Sequence, residues 1–203
     1  MLAPIPEGGY NRSGVKSLDH DFAPDFVLKP FGIFLPDYDE NYFYFTESSV
    51  TADFMFDAIE DLWPSLKKRF NPHTLVINAD NGPENNSRRS QFMKRLVDFA
   101  TANSIDIDLA YYPPYHSKYN PIERVWGVLG NHWNGEILDS VNKVLGLART
   151  MTWNGATPIV KMIEKTYKKG VTLTKEAMKK IEKVLLRTPG IEKWAVNIHC
   201  FDD

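Results

Sequence analysis

An α/β fold follows from three features of the sequence. Two aromatic runs, Phe31-Gly32-Ile33-Phe34-Leu35 and Asn41-Tyr42-Phe43-Tyr44-Phe45, flank the turn-rich Pro36-Asp37-Tyr38-Asp39-Glu40 and read as a β-hairpin. Stretches with apolar residues at helical spacing then alternate with short apolar runs, His73 to Ala79 and Ile105 to Ala110. Hairpin, helix, strand, helix, strand, helix is the order of a sheet with helices packed on it.

Each element has a local reason. Thr51 precedes Ala52-Asp53-Phe54 as an N-cap, and Phe54, Ala58, Ile59 and Leu62 recur on one helical face, so a helix to about Arg69 is expected. His73 to Ala79 is continuous enough to be a strand covered on both faces, with Asp80 at its carboxyl end. Phe92, Leu96, Val97, Phe99 and Ala100 predict an amphipathic helix over 90–103, and Ile105 to Ala110 a second strand closed by Tyr111-Tyr112-Pro113-Pro114. Asn120 as N-cap, Pro121 at the first helical position and Glu123 at the third predict a helix to about Trp133. Further helices are expected over 139–151, 158–168 and 174–187. The organisation read from this pattern is an irregular segment over 1–30, a core over 31–135 and a C-terminal helical extension over 136–203.

Composition narrows the class. The 203 residues are 43% hydrophobic and 13% aromatic, enough for a good-sized core. A single cysteine, Cys200, permits no internal disulfide, and there is no Cys-x-x-Cys to hold zinc, which together point to a reducing cytoplasm. No apolar stretch is long enough to span a bilayer, and the amino-terminal residues lack the basic and apolar regions of a secretion signal. The net charge of −2 hides an asymmetry: residues 1–63 hold twelve acidic side chains against three basic, whereas 161–187 hold nine basic against three acidic. The basic segment suits a polyanion, and equally suits the solvated face of a helix.

Asp80 and Glu123 are the carboxylates placed for chemistry. Ligands of open α/β sheets bind beyond the carboxyl ends of strands, where Asp80 lies, and Glu123 follows the next strand and a Pro-rich loop. Magnesium prefers carboxylate oxygens and keeps several waters, leaving room for a phosphate. A pair of such ions about 4 Å apart serves in-line phosphoryl transfer. The same residues also fit an ordinary strand-ending turn and the acidic half of a capping box with Asn120. Trp126 and Trp133, seven apart on one helical face, suit core anchors, and His116 and His132 lack the partners of a zinc site.

The run Asp80-Asn81-Gly82-Pro83-Glu84-Asn85-Asn86-Ser87-Arg88-Arg89, followed by Ala110-Tyr111-Tyr112-Pro113-Pro114-Tyr115-His116-Ser117-Lys118-Tyr119-Asn120-Pro121-Ile122-Glu123-Arg124-Val125-Trp126, resembles the second and third acidic motifs of DDE transposases of bacterial insertion sequences. With Asn131-His132-Trp133-Asn134-Gly135 and Met151-Thr152-Trp153 downstream, the chain is similar to the Rhodopirellula-type branch, from about Gly8 to the last helix. The resemblance implies a ribonuclease H-like mixed sheet and an Mg2+ or Mn2+ cofactor held by Asp80 and Glu123 as catalytic residues. It also implies DNA, both transposon ends and target, as partner, together with a homo-oligomer or intact transposase subunit. His116, Lys118, Arg88, Arg89 and Arg124 become candidate DNA contacts, and the implied setting is the bacterial cytoplasm, nucleoid-associated when on DNA.

The first acid of the triad has no clear counterpart. In the family it lies on the first central strand, ahead of a stretch resembling Gly8-Gly9-Tyr10-Asn11-Arg12-Ser13-Gly14. No apolar strand precedes Gly8, so the first central strand is expected to be missing and the chain to resemble an N-terminally truncated transposase. Asp19 and Asp21 are the nearest substitutes, in flanks unsuited to a central strand, and Asp37 and Asp39 sit in the hairpin turn. Two functions therefore stay open: metal-dependent DNA strand cleavage and transfer, or an inactive remnant that binds DNA or an intact transposase subunit.

Overall fold

The computed structural model describes residues 26–113 and 119–200, which fall into two compact units. Its fold is mixed α/β, with two mixed sheets flanked by five helices among the described residues, consistent with a ribonuclease H-like fold. No described helix is long and apolar enough to cross a membrane.

The first unit comprises residues up to Ser48 together with Asn120–Thr166. The expected hairpin is β1 (Lys29–Leu35) and β2 (Glu40–Thr46), antiparallel with Lys29 opposite Thr46 and Leu35 opposite Glu40. Its turn is a short 3-10 segment, Pro36–Tyr38, closed by Asp39 in the left-handed region at φ 54. Asp39 tolerates that conformation, and its Oδ1 accepts hydrogen bonds from Trp153 Nε1 at 3.0 Å and Asn154 Nδ2 at 2.9 Å.

Two helices cover this sheet, α3 (Pro121–His132) and α4 (Val141–Thr150). Phe43 and Phe45 pack with Val125, Leu129, Trp133, Val144 and Ala148. Both tryptophans expected in the core are there: Trp133 is buried, and Trp126 stacks on Phe43 with ring centroids 4.8 Å apart.

The helix expected over 158–168 is instead a strand, β5 (Ile159–Met162), parallel to β2 with Tyr42 opposite Ile159 and Phe45 opposite Met162. The adjacent β-branched Ile159 and Val160 suit a pleated strand, and Val160 is buried in the core. The last basic stretch also departs from a single helix over 174–187. It forms α5 (Lys175–Glu182) and then a short strand, β6 (Leu186–Arg187), so the 136–203 extension mixes helices with strands.

Gly32 is required by packing. A Cβ at this position would sit 2.5 Å from the Trp126 ring and 3.0 Å from the end of Ile122. Gly32→Ala is expected to cost about 1–3 kcal/mol through overpacking. The cost should shrink in the Gly32→Ala/Trp126→Phe double variant, because the shorter ring opens the space. Chemical denaturation of the four proteins in the cycle measures the coupling, and strict additivity would remove the packing explanation.

The second unit comprises Ser49–Tyr119 and the residues from Tyr167 onward. Thr51 caps α1 (Ala52–Phe70) as expected, its hydroxyl accepting from Phe54 N at 3.3 Å. The sheet runs β3 (Thr74–Ala79), β4 (Asp106–Tyr111), β7 (Ala195–Ile198) and β6, with β3 parallel to β4 and β7 antiparallel to its neighbours. Phe56, Trp63, Phe92, Met93, Leu96 and Phe99 of α1 and α2 (Ser90–Asn103) pack on Ile107, Leu109, Val196 and Ile198.

Continuous apolar character had suggested that β3 is covered on both faces, and this is not so. Leu75, Ile77 and Ala79 lie against the core, whereas Thr74, Val76 and Asn78 are exposed, Val76 by 60%. The reason is that the helices packed on this sheet cover one face only, the one bearing Leu75 and Ile77, and β4 inside the sheet alternates in the same way. Among the described residues β3 ends this sheet and β1 ends the three-stranded sheet, each with a paired strand on one side only.

Candidate active site

Asp80 is the first residue beyond β3 and is exposed. The chain turns immediately after it: Asn81 takes the left-handed conformation at φ 61, and Asn85 N and Asn86 N both donate to Gly82 O, at 3.3 and 3.1 Å. This turn brings two donors to one carboxylate oxygen. Asp80 Oδ1 accepts from Asn85 Nδ2 at 2.7 Å and from Gly82 N at 3.3 Å. Oδ2 takes no hydrogen bond among the described residues, and the side chain as a whole is exposed.

Asn85 is itself fixed. It is buried, and its carbonyl oxygen accepts from the Tyr111 hydroxyl at 2.5 Å. Burial raises the Tyr111 pKa, with the neighbouring Asp80 charge adding to the shift and Arg187 opposing it, so the phenol stays a neutral donor. Asn85 Oδ1 is buried without a partner, and a Cβ on Gly82 would approach it to 3.2 Å. The loop is tied down further by Ser87 Oγ, which donates to Lys193 O at 2.9 Å, and by Arg187, which donates to Ser87 O at 3.1 Å.

The two arginines of this loop differ. Arg89 forks onto both oxygens of Glu84, at 3.2 and 3.1 Å, so its charge is already engaged. Arg88 is exposed and no side-chain partner is found for it among the described residues. Asp80, Arg88 and Arg89 thus share one loop.

Glu123 and Arg124 belong to the other unit, on the first turn of α3, and both are exposed. Asn120 stands at the N-cap position, yet no side-chain cap bond forms. Pro121 and the Glu123 N–H, which donates to Asn120 O at 3.1 Å, begin the helix instead. The capping box therefore does not account for the Glu123 carboxylate.

His116 and Lys118 lie outside the described residues, as do Asp19 and Asp21. Asp39 is spent on Trp153 and Asn154. Among the described residues no group of three His, Cys, Asp or Glu side chains is placed to hold a metal ion. For a hard divalent cation the donor chemistry at Asp80 nonetheless fits: a carboxylate oxygen without a hydrogen bond, on an exposed side chain whose other oxygen is held in place. Asn85 and Tyr111 were not singled out from the sequence. Tyr111 had been placed in the break after the strand, whereas it is the last residue of β4 and continues the buried alternation of Ile107 and Leu109, and nothing in the spacing ties Asn85 to Asp80.

The family model described as "Rhodopirellula transposase DDE domain" matches residues 4–200. No curated protein and no solved structure matches the chain.

Proposed function

Since the chain belongs to the Rhodopirellula transposase DDE domain family, we propose that it serves metal-dependent DNA strand cleavage and transfer, with Asp80 and Glu123 as its second and third catalytic acids. The observation that carries this reading is the treatment of Asp80. A buried amide and a backbone N–H hold one oxygen of a strand-end carboxylate, and its other oxygen is left for a ligand. Such a carboxylate is oriented before any ligand arrives, so little ordering cost remains at binding.

Asp80 and Glu123 would hold Mg2+ or Mn2+. The ion, when bound, supplies the charge neutralisation and nucleophile activation that phosphodiester cleavage needs. The protein's own part is positional: Asp80 presents Oδ2, Asn85 fixes its rotamer, and Tyr111 fixes Asn85. Exposed Arg88 and Arg124 are proposed contacts for DNA phosphate. His116 and Lys118 join them on the family resemblance, while Arg89 would first have to leave Glu84.

Incubating the purified chain with duplexes carrying the element's ends, with Mg2+ or Mn2+ and then with chelator, tests the proposal. Metal-dependent nicking supports it. Tight DNA binding without nicking at any metal concentration would replace it with the second reading, a remnant that binds DNA or an intact transposase subunit.

A finer expectation concerns Asn85. Asn85→Leu keeps the volume but removes the amide donor to Asp80, and is expected to weaken Mn2+ binding by roughly 10–100-fold, as loss of an outer partner of a metal ligand does. Mn2+ electron paramagnetic resonance titration reads this directly. Tyr111→Phe should show a smaller effect of the same sign, because it loosens Asn85 without removing it. Unchanged Mn2+ affinity in Asn85→Leu would show that the Asn85 contact has no bearing on metal.

A further inference from the structure

The second unit carries a concentration of positive charge that the cleavage chemistry leaves unused. Helix α5 packs one face, the partly buried Met178 and Ile181, against the core and leaves its lysines exposed. Lys175, Lys179 and Lys183 are four residues apart and so form one ridge, rising about 6 Å at each step. Lys180 stands beside them, and all four are exposed with no side-chain partner among the described residues.

This arrangement is unfavourable for the helix in isolation. Like charges at i,i+4 repel, and Lys175 in the first turn opposes the helix dipole. Of the two acids on α5, Glu182 is engaged by Arg187 at 2.7 Å. The Thr174 cap, which accepts from Ala177 N at 3.2 Å, and the Met178 and Ile181 contacts keep the helix in place despite the repulsion. A solvated helix gains from balanced signs, whereas a face with four lysines against Glu176 and the already engaged Glu182 is stabilised by an external anion.

Helix α5 also adjoins the loop of Asp80. Arg88, Arg187 and Lys193 line a cleft together with Glu192 and with Met178 and Glu182 of α5, so cations outnumber acids there by three to two. Arg88 lies eight residues beyond Asp80 in the same loop. There is no aromatic residue on α5, so the stacking platform that single strands need is lacking there.

We propose that Arg88, Lys193 and the lysines of α5 form a track for the phosphate backbone of duplex DNA. The proposal rests on the transposase reading and deepens it by assigning the DNA a surface. The contacts are charge to phosphate, so they position the duplex without reading its sequence.

Fluorescence anisotropy of the full chain with a labelled duplex of arbitrary sequence, over a salt series, tests it. Lys179→Gln/Lys183→Gln is expected to lower the slope of log affinity against log salt by about 2, since each lost phosphate contact removes about 0.9. The control Lys67→Gln/Lys68→Gln removes the same charge from the exposed end of α1 and should leave the slope almost unchanged. Equal effects of the two pairs would overturn the track in favour of diffuse attraction. Absence of duplex binding by the wild type, or an unchanged slope in Lys179→Gln/Lys183→Gln, would overturn it as well. Nicking is read in a separate assay, so a chain that binds along α5 and never cleaves keeps the track and loses the catalytic reading.

Discussion

Asp80→Asn and Glu123→Gln are each expected to reduce metal-dependent DNA cleavage by roughly three orders of magnitude, equivalent to about 4 kcal/mol of transition-state stabilisation. Both substitutions preserve shape and remove charge. At Asp80, an asparagine oxygen can still accept from Asn85 Nδ2 and Gly82 N, so the turn after β3 retains its bonds while the anionic ligand is lost. At Glu123, the side chain is exposed on the first turn of α3 and its neutralisation costs the helix only a few tenths of a kcal/mol through the dipole, about 0.3–1 kcal/mol at most. Stability and activity therefore separate. Melting temperatures close to wild type with cleavage near background are the expected pair of results. Cleavage that survives either substitution would remove that residue from the catalytic set, and a wild type that never cleaves would leave the chain as a DNA- or subunit-binding remnant.

The elements that could be read from the sequence are those whose local signals agree with their surroundings. The hairpin, α1 with its Thr51 cap, α2 and α3 all combine strong periodicity or turn chemistry with a core to face. The failures share a cause, which is dependence on a distant partner. Ile159 to Met162 becomes a strand because β2 offers a parallel edge more than a hundred residues earlier in the chain. The pairing of Leu186 and Arg187 with β7 has no local signature at all. The exposed side of β3 could not be inferred either, since an apolar run looks alike whether helices cover one face of its sheet or both. At the candidate site, Asp80 was legible because it follows an apolar strand and precedes Asn-Gly. The support from Asn85 and Tyr111 was not, because a hydrogen bond between a loop carbonyl and a phenol 26 positions away leaves no periodic trace.

Arg95→Met is expected to be the most destabilising of the substitutions considered, at about 2–4 kcal/mol. Arg95 on α2 is largely buried, and its guanidinium binds three carboxylates of α1: Asp53 at 3.0 Å, Asp57 at 2.9 Å and Glu60 at 3.1 Å. Burial alone would lower its pKa, but the hydrogen bonds to Asp57 and Asp53 and the nearby Glu60 charge outweigh that and raise it. The cation is thus what allows three acids to share one side of α1. Two further groups lean on the same acids, with Tyr167 donating to Asp57 at 2.7 Å and Gln91 to Asp53 at 2.8 Å. Methionine fills much of the volume and keeps contact with Phe56, over whose ring the guanidinium sits at 5.7 Å, so the loss is mainly electrostatic. Removing one partner of a buried ion pair costs about 3–5 kcal/mol, and the solvent-exposed Glu60 arm reduces that figure here. The decisive measurement is the triple variant Arg95→Met/Asp53→Asn/Asp57→Asn, which removes the orphaned charges along with the cation. If uncompensated carboxylates cause the damage, urea denaturation should show the triple variant recovering at least half of the stability lost by Arg95→Met. A triple variant less stable than Arg95→Met would mean that the acids hold α1 through Tyr167 and Gln91 rather than through Arg95.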